Sequence, residues 1–319
     1  MRLFLLGCTG FIGRELVPLL QREGHSCTLL SRQPASATGS AIASGSGSGS
    51  SRVARLQGDP ADSATWRRPD VLEALADAEG VVNLAGEPIA DQRWTPEHRQ
   101  RLLDSRLVTT TELVEAMGRL GTPPRVLVSG SAVGYYGNSP SGSFTEASPP
   151  AADFLGQLCA QWEAAADRAA VGIRVVKLRI GIVLGADGGA LGKMLPVFRS
   201  GFGGPVGSGR QWMSWIERTD LCRLIAAALV DPAYAGAYNA VAPTPVTMQA
   251  FASSLGEVLG RPSLLPVPAP VLQLMLGDGA KVVLEGQHVL PERLQKQGFS
   301  FQYPDVAAAL AAATSPGSR

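Results

Sequence analysis

Three glycines in the pattern Gly7-x-x-Gly10-x-x-Gly13 follow an apolar run, Leu3 to Leu6, and lead into apolar residues at helical spacing, Phe11, Ile12, Leu16, Leu19 and Leu20. A strand, a glycine turn and a helix in that order form a dinucleotide-binding unit. Gly7 permits a sharp turn, Gly10 lets backbone approach a pyrophosphate, and Gly13 lets the helix pack close to the strand. The pyrophosphate then rests on the helix N-terminus, where backbone N–H groups lack intrahelical partners and the peptide dipoles present positive charge. The alternative is an ordinary strand-to-helix turn. The place of the triplet, directly after an N-terminal strand, favours the nucleotide.

The next strand, Ser26 to Leu30, ends in Ser31-Arg32. NAD-specific sites put a carboxylate about 20 residues beyond the glycines, where it holds the ribose 2′-hydroxyl. No carboxylate ends this strand, and a guanidinium suits a phosphate, so the residues favour NADP over NAD. The alternative is a solvated arginine. Ala85-Gly86 gives the fourth strand a small-residue exit, through which backbone can approach the same cofactor. Tyr135 and Tyr136 lie between glycines beyond the fifth strand. Either phenol could reach a carbonyl oxygen, although at its ordinary pKa of about 10 a phenol is a poor base at neutral pH. Packing at the mouth of the cleft is the equal alternative.

Other reactive residue types are dispersed. His25, His98 and His288 show no metal-ligand spacing, so no metal site is expected, and His98 reads as a solvated helix residue. Cys8, Cys27, Cys159 and Cys222 form no C-x-x-C pair and read as reduced, buried thiols of a cytoplasmic protein.

These groups need elements to position them. Val53 to Gln57 reads as a third strand, Val71 to Leu75 as helix, and Gly80 to Gly86 as a fourth strand. Thr95 is a good N-cap and Pro96 a good first helical residue, for a helix running to about Gly118. A fifth strand spans Pro124 to Ser129, a helix Phe154 to Ala169, and a sixth strand Ile173 to Ile180. Strands alternating with helices give an α/β fold, a Rossmann-type doubly wound parallel sheet. From about Gly181 the rhythm breaks and Gly and Pro become dense. Helices are expected at Thr219 to Leu229, Met248 to Leu259 and near the C-terminus to Ala313, a strand at Ala237 to Val241, and extended chain at Pro262 to Pro270. Residues 1–180 therefore read as the nucleotide-binding domain and 181–319 as a smaller substrate or lid region, interleaved with it. Residues 36–51, rich in Gly and Ser, cannot bury a core and read as a flexible surface insertion without chemistry.

Bulk properties narrow the classes. The chain has 319 residues, 45% of them hydrophobic, ample for a large core. A net charge of +1 gives no reason to expect a nucleic-acid partner. Apolar runs are short and interrupted, so neither a transmembrane helix nor a membrane partner is expected, and the N-terminus lacks a signal-peptide profile.

Together these stretches resemble the extended short-chain dehydrogenase/reductase family, more narrowly its atypical branch of NAD-dependent epimerase/dehydratase-like proteins. Some members of that branch carry the name of cell-division-inhibitor or SulA-like homologues. The motifs are Gly7-Cys8-Thr9-Gly10-Phe11-Ile12-Gly13, Asn83-Leu84-Ala85-Gly86-Glu87-Pro88-Ile89, Ser105-Arg106 and Gly134-Tyr135-Tyr136-Gly137, followed by the glycine-rich stretches 188–196 and 203–209. The resemblance covers the chain apart from the Gly/Ser insertion. It implies cofactor contacts at Gly7, Thr9, Gly10, Phe11, Ile12, Gly13, Ser31, Arg32, Leu84, Ala85, Gly86, Arg106 and Ser129.

One family feature is missing. Ordinary members carry Tyr-x-x-x-Lys on the helix after the fifth strand; the tyrosine moves a proton, and the lysine lowers its pKa and holds the ribose. Four positions beyond Tyr135, Tyr136, Tyr234, Tyr238 and Tyr303 stand Ser139, Pro140, Tyr238, Ala242 and Ala307. The expected helix carries Phe154-Leu155-Gly156-Gln157-Leu158 instead. Ser131 resembles the family's catalytic serine, and with Tyr135 and Tyr136 it forms the candidate catalytic set; a turn hydroxyl bonding backbone is the alternative for Ser131. Arg106 could orient substrate or cofactor. Two functions follow. One is an NADP-dependent oxidoreductase or epimerase with an altered proton relay, acting on an unidentified small molecule. The other is a non-catalytic NADP-binding redox sensor or regulator, linked to cell division by the branch name alone.

Deleting residues 39–50 should change the melting temperature and nucleotide affinity little, because loop-closure entropy varies slowly with length. A large drop in either, measured by thermal denaturation and titration, would show that the segment is ordered.

Overall fold

The computed structural model describes residues 1–34 and 53–315, so the Gly/Ser stretch 36–51 lies outside the described residues. The chain opens with β1 (Arg2–Leu6), α1 (Gly13–Arg22), β2 (Ser26–Ser31), β3 (Val53–Gln57), α2 (Pro69–Ala76) and β4 (Gly80–Asn83). It continues through α3 (Pro96–Gly118), β5 (Val126–Ala132), β6 (Ser143–Phe144), α4 (Phe154–Asp167), β7 (Arg174–Ile180), β8 (Ile182–Leu184) and α5 (Gly189–Arg199). Then come β9 (Trp212–Met213), β10 (Trp215–Glu217), α6 (Arg218–Val230), β11 (Gly236–Ala240), β12 (Val246–Thr247) and α7 (Met248–Leu259). The last elements are α8 (Ala269–Leu276), α9 (Lys281–Leu284), β13 (His288–Val289), α10 (Glu292–Lys296) and α11 (Val306–Thr314).

Seven strands form one sheet in the order β11-β7-β5-β4-β1-β2-β3, and every pairing in it is parallel. Parallel strands buried on both faces alternate their side chains between two cores. Leu3 and Leu5 of β1 pack with Leu16, Val17 and Leu20 of α1 and Leu221, Leu224 and Ile225 of α6. Phe4 and Leu6 point the other way, onto Trp66, Leu75 of α2 and Leu113 and Met117 of α3. A third core, Leu184, Leu191, Phe198, Trp215, Phe251, Leu255 and Leu310, holds α5, α7 and α11 together. The sheet takes its outermost strand from 236–240, so the chain re-enters it after position 180.

Some boundaries differ from the sequence-based ones for local reasons. β4 ends at Asn83 rather than Gly86, because the Asn83 side chain turns the chain: its Oδ1 accepts from Ala85 N at 3.1 Å and its Nδ2 donates to Thr110 Oγ1 at 3.0 Å. β5 runs on past Ser129 to Ala132, since Gly130, Ser131 and Ala132 pair with Leu178, Arg179 and Ile180. The extended segment expected up to Pro270 gives way to helix at Ala269, where a proline in the first turn lacks only an N–H that no partner awaits. Among the described residues the four cysteines are free and buried, and no helix is long and apolar enough to cross a membrane.

The glycine turn is fixed by contact. A Cβ on Gly13 would lie 1.8 Å from the Cys8 carbonyl oxygen, whereas on Gly10 the nearest atom would be 3.9 Å away. Gly13→Ala should therefore cost at least ~3 kcal/mol of unfolding free energy, beyond ordinary overpacking. Gly10→Ala should leave the denaturant midpoint nearly unchanged; similar midpoints for both variants would refute the steric account.

Candidate functional site

The winding direction of the sheet reverses between β1 and β4, which are neighbours. The crevice outside the carboxyl ends of strands at such a switch point is where α/β folds bind ligands. The glycine turn enters it from β1. Gly7, at φ +70°, approaches the β4 exit so closely that a Cβ would lie 2.4 Å from Ala85 N. A side chain on Gly86 would meet the Arg106 guanidinium at 3.1 Å. Arg106 projects from α3, donates to Glu87 O at 3.0 Å and Leu102 O at 3.2 Å, and lies 5.3 Å from the centroid of the Trp162 ring. Burial holds its pKa below the ordinary arginine value. No carboxylate pairs with it among the described residues, so it is a cation available to an anion in the crevice.

Phe11 carries the turn outward. Its ring sits against Gly185, Gly188 and Gly189, where Cβ atoms would fall 2.8, 2.7 and 3.1 Å from ring carbons. The Arg218 guanidinium lies 4.7 Å from the ring centroid and is held by Glu15 at 2.6 Å and Asp187 at 2.5 Å. The segment before α5 is thus keyed to the glycine turn. Thr9 and Ile12 are half-buried, and Ser129 is buried within β5 opposite Asn83 at the β4 end, its hydroxyl donating to Gly130 O at 3.3 Å. Ser31 closes β2, accepting from Gln33 N at 3.2 Å, and Arg32 beyond it is exposed. Next to Ser31, which accepts from Gly58 N at 2.9 Å, lies a cavity of about 510 Å³ lined by Gln57, Gly58, Asp59, Thr65 and Arg68. The turn, the β4 exit, Arg106 and Ser129 therefore converge on the ends of three adjacent strands, with Ser31-Arg32 on the far side of β1.

The candidate catalytic residues meet around a buried ion pair. Arg179 of β7 donates from Nε and Nη2 to the two oxygens of Glu163 on α4, at 2.7 and 2.9 Å. Ser131 donates to Glu163 Oε1 at 2.8 Å. Tyr136 accepts from Arg179 Nη1 at 2.8 Å and donates to Asn239 Oδ1 at 2.6 Å. Tyr136 is pushed up to about 12, because burial outweighs the nearby Arg179 charge; that phenol stays protonated at neutral pH. Burial opposes the Arg179 charge, but the hydrogen bonds and opposite charge of Glu163 raise its pKa above the ordinary value. Tyr135 differs. Its ring lies 3.5 Å from the Arg179 guanidinium carbon and edge-on to Tyr136, and its hydroxyl has no hydrogen-bond partner among the described residues. On the helix where a proton relay is expected, Phe154 packs against Trp94 at 5.4 Å, with Arg99 stacked over both rings, and Leu158 is buried.

The family model described as the NAD dependent epimerase/dehydratase family matches residues 3–241. The chain belongs to that family. A second model, a domain of unknown function (DUF1731), matches residues 267–313 of this family member. The Arabidopsis thaliana epimerase family protein SDR39U1 homolog, chloroplastic, is 42% identical over 98% of the chain and 86% of its own length. The human epimerase family protein SDR39U1 is 38% identical over 97% of the chain and 98% of its own length. The crystal structure of the human protein (isoform 2) with NADPH superposes with a TM-score of 0.84 at 36% identity, covering 98% of this chain and 99% of that one.

His98 is not solvated: it is 1% exposed, on the inner face of α3, with Nδ1 3.3 Å from Arg101 and Nε2 without a partner among the described residues. Leu102, one turn on, shares its face, but Arg106 a turn further keeps the pattern mixed, so burial was not legible. Sequence reading also missed Glu163, Arg179 and Asn239. Local sequence offered little signal, because Arg179 is one of three cations in β7, with Arg174 and Lys177. No cluster of three or more potential metal ligands occurs among the described residues.

Glu163→Ala would leave Arg179 buried without its counter-charge, and should lower the unfolding free energy by about 3–5 kcal/mol. A loss below 1 kcal/mol by chemical denaturation would mean that water or another carboxylate replaces the pair.

Proposed function

We propose that this epimerase-family protein binds NADP(H) in the β1/β4 crevice and uses it in an oxidoreductase or epimerase reaction without Tyr-x-x-x-Lys. The observation that carries the reading is Gly10. Protein contacts demand glycine at Gly7 and Gly13 but would admit a side chain at Gly10, whose nearest neighbour is 3.9 Å away, so the glycine there serves the close approach of a pyrophosphate to the start of α1. The human relative crystallised with NADPH supports the choice of nucleotide. So does exposed Arg32 at the end of β2, where a guanidinium can pair with a 2′-phosphate. Thr9, Phe11, Ile12 and Ser31 belong to the same binding surface in this reading, Leu84, Ala85 and Gly86 line its β4 side, and Arg106 and Ser129 its β5 side.

When bound, the nicotinamide donates or accepts a hydride. The chain's own part is to hold the proton-bearing group. Tyr135 is the phenol left for substrate; Ser131 and Tyr136 position it through Glu163 and Arg179. A second reading is a non-catalytic NADP-binding sensor or regulator. It is favoured by the apolar packing of Phe154 and Leu158 where the ordinary relay stands.

Calorimetric titration should find NADPH bound more tightly than NADH, with most of the preference lost in Arg32→Ala and both nucleotides weakened at least about tenfold in Gly10→Ala, through loss of close backbone approach. Equal affinity of the unmodified protein for both nucleotides would refute the NADP assignment. With a carbonyl substrate from a screen, Tyr135→Phe should slow turnover by about 10²–10⁴-fold, the usual contribution of an acid or base. A rate within a few-fold would remove Tyr135 from the chemistry. Tight NADPH binding without turnover on any substrate would favour the sensor.

A further inference from the structure

Ten large hydrophobic side chains are exposed among the described residues, and six of them, Phe202, Leu264, Leu265, Val271, Leu274 and Met275, come from two short stretches of chain. Those stretches lie side by side. Leu265 N–H donates to Gly203 O at 3.2 Å, Val267 N–H to Pro205 O at 2.9 Å and Gly207 N–H to Val267 O at 2.9 Å. Helix α8 follows at once and buries none of its residues, leaving Leu274 77% and Met275 64% exposed. Isolated surface apolar residues are normal, but a concentrated apolar face marks an interaction site.

The charges around this face identify its partner. No charged residue occurs between Arg199 and Arg210, nor between Arg261 and Asp278. Arg199, Arg210, Arg261 and Lys281 bracket the two stretches and are exposed, and none takes part in a salt bridge among the described residues. Asp278 is committed to Arg99 at 2.5 Å, and the exposed acids Glu257 and Glu285, each four residues from a rim cation, are two against four, which leaves the rim net positive. A second copy of the chain is a poor occupant, because an isologous contact would set one rim of unpaired cations against its like.

We propose that this face docks on the surface of a bilayer containing anionic phospholipid. The apolar side chains enter the boundary between headgroups and acyl chains, and the rim arginines and lysine meet the lipid phosphates. Such a contact needs no spanning helix. The face is assembled from segments some 60 residues apart, the second uncharged from 262 to 277 but broken by four prolines. Leu276 O accepts from Trp94 N at 3.2 Å, so the docked face adjoins the loop that follows the β4 exit, and docking would bring the mouth of the crevice to the lipid.

The test is co-sedimentation of the full-length protein with phosphatidylcholine vesicles, with or without phosphatidylserine at about one lipid in three. The protein should pellet with the serine-containing vesicles, far less with neutral ones, and should be released by high salt, which screens the rim. Arg199→Ala and Arg261→Ala should each weaken binding roughly fivefold, the usual effect of one cation at an anionic surface. Leu274→Asp combined with Met275→Asp should abolish it at an unchanged melting temperature, a readout independent of nucleotide binding. Phe202→Ser repeats that test from the other stretch should the double variant fold poorly. The proposal is overturned if the folded protein stays in the supernatant with anionic vesicles at low salt, or if variants of both stretches bind as well as the unmodified chain. It is also overturned if the unmodified protein is a dimer that Leu274→Asp with Met275→Asp converts to monomer, which assigns the face to a second copy.

Discussion

Absence of space for a side chain at two backbone positions organises the molecule. Gly13 rests on the Cys8 carbonyl and Gly7 on the Leu84–Ala85 peptide, so the start of α1 is locked both to its own strand and to the strand across the switch point. That contact sets the helix N-terminus over the crevice, where its dipole and free N–H groups act on any anion placed there. It also fixes Phe11, and through Phe11 the glycines before α5. The core around Trp215 and Phe251 is thereby keyed to the glycine turn by shape as well as by the Glu15–Arg218–Asp187 charges.

A buried ion pair joins Ser131 and Tyr136, two of the candidate catalytic residues. Removing one partner of such a pair is costly because the remaining charge is left unpaired and desolvated, even where the intact pair contributes little net stability. Glu163 and Arg179 therefore constrain their surroundings. They engage the hydroxyls of Ser131 and Tyr136, tie α4 to β5 and β7, and stack the guanidinium against Tyr135. The face of α4 bearing Phe154 and Leu158 is apolar, with Trp94 packed onto Phe154. A lysine placed at Leu158 would enter a dry site and tend to lose its proton. Placing Tyr and Lys at these two positions would therefore not by itself restore the standard relay, because the surroundings fit apolar side chains.

Much of the framework was legible in local sequence. The strand-turn-helix start, the Thr95–Pro96 helix opening and the alternation of strands with helices depend on propensities and spacings within about one helix length, and the structure reproduces them. Asp153 capping α4 and Thr247 capping α7 belong to the same class of local signal. Arg32 and Gly86 could be nominated as candidates for the same reason, since each follows shortly after a strand whose carboxyl end faces the crevice. The burial of His98 was missed because one histidine on a mixed helix does not disclose which face turns inward.

The sequence by itself determined the alternation of the main strands and helices up to residue 180, the glycine turn and the lack of a Tyr-x-x-x-Lys pair, all properties of neighbouring residues. Only the tertiary structure decided which hydroxyls are engaged. Ser131 meets Glu163 32 residues away, and Tyr136 meets Asn239 103 residues away. It alone assembled the apolar face from 202 and 264–275, and it alone showed that Gly10 is open while Gly13 is not. These are facts of contact between distant segments, set by how the cores close on both faces of the sheet, and no local pattern of residue types encodes them.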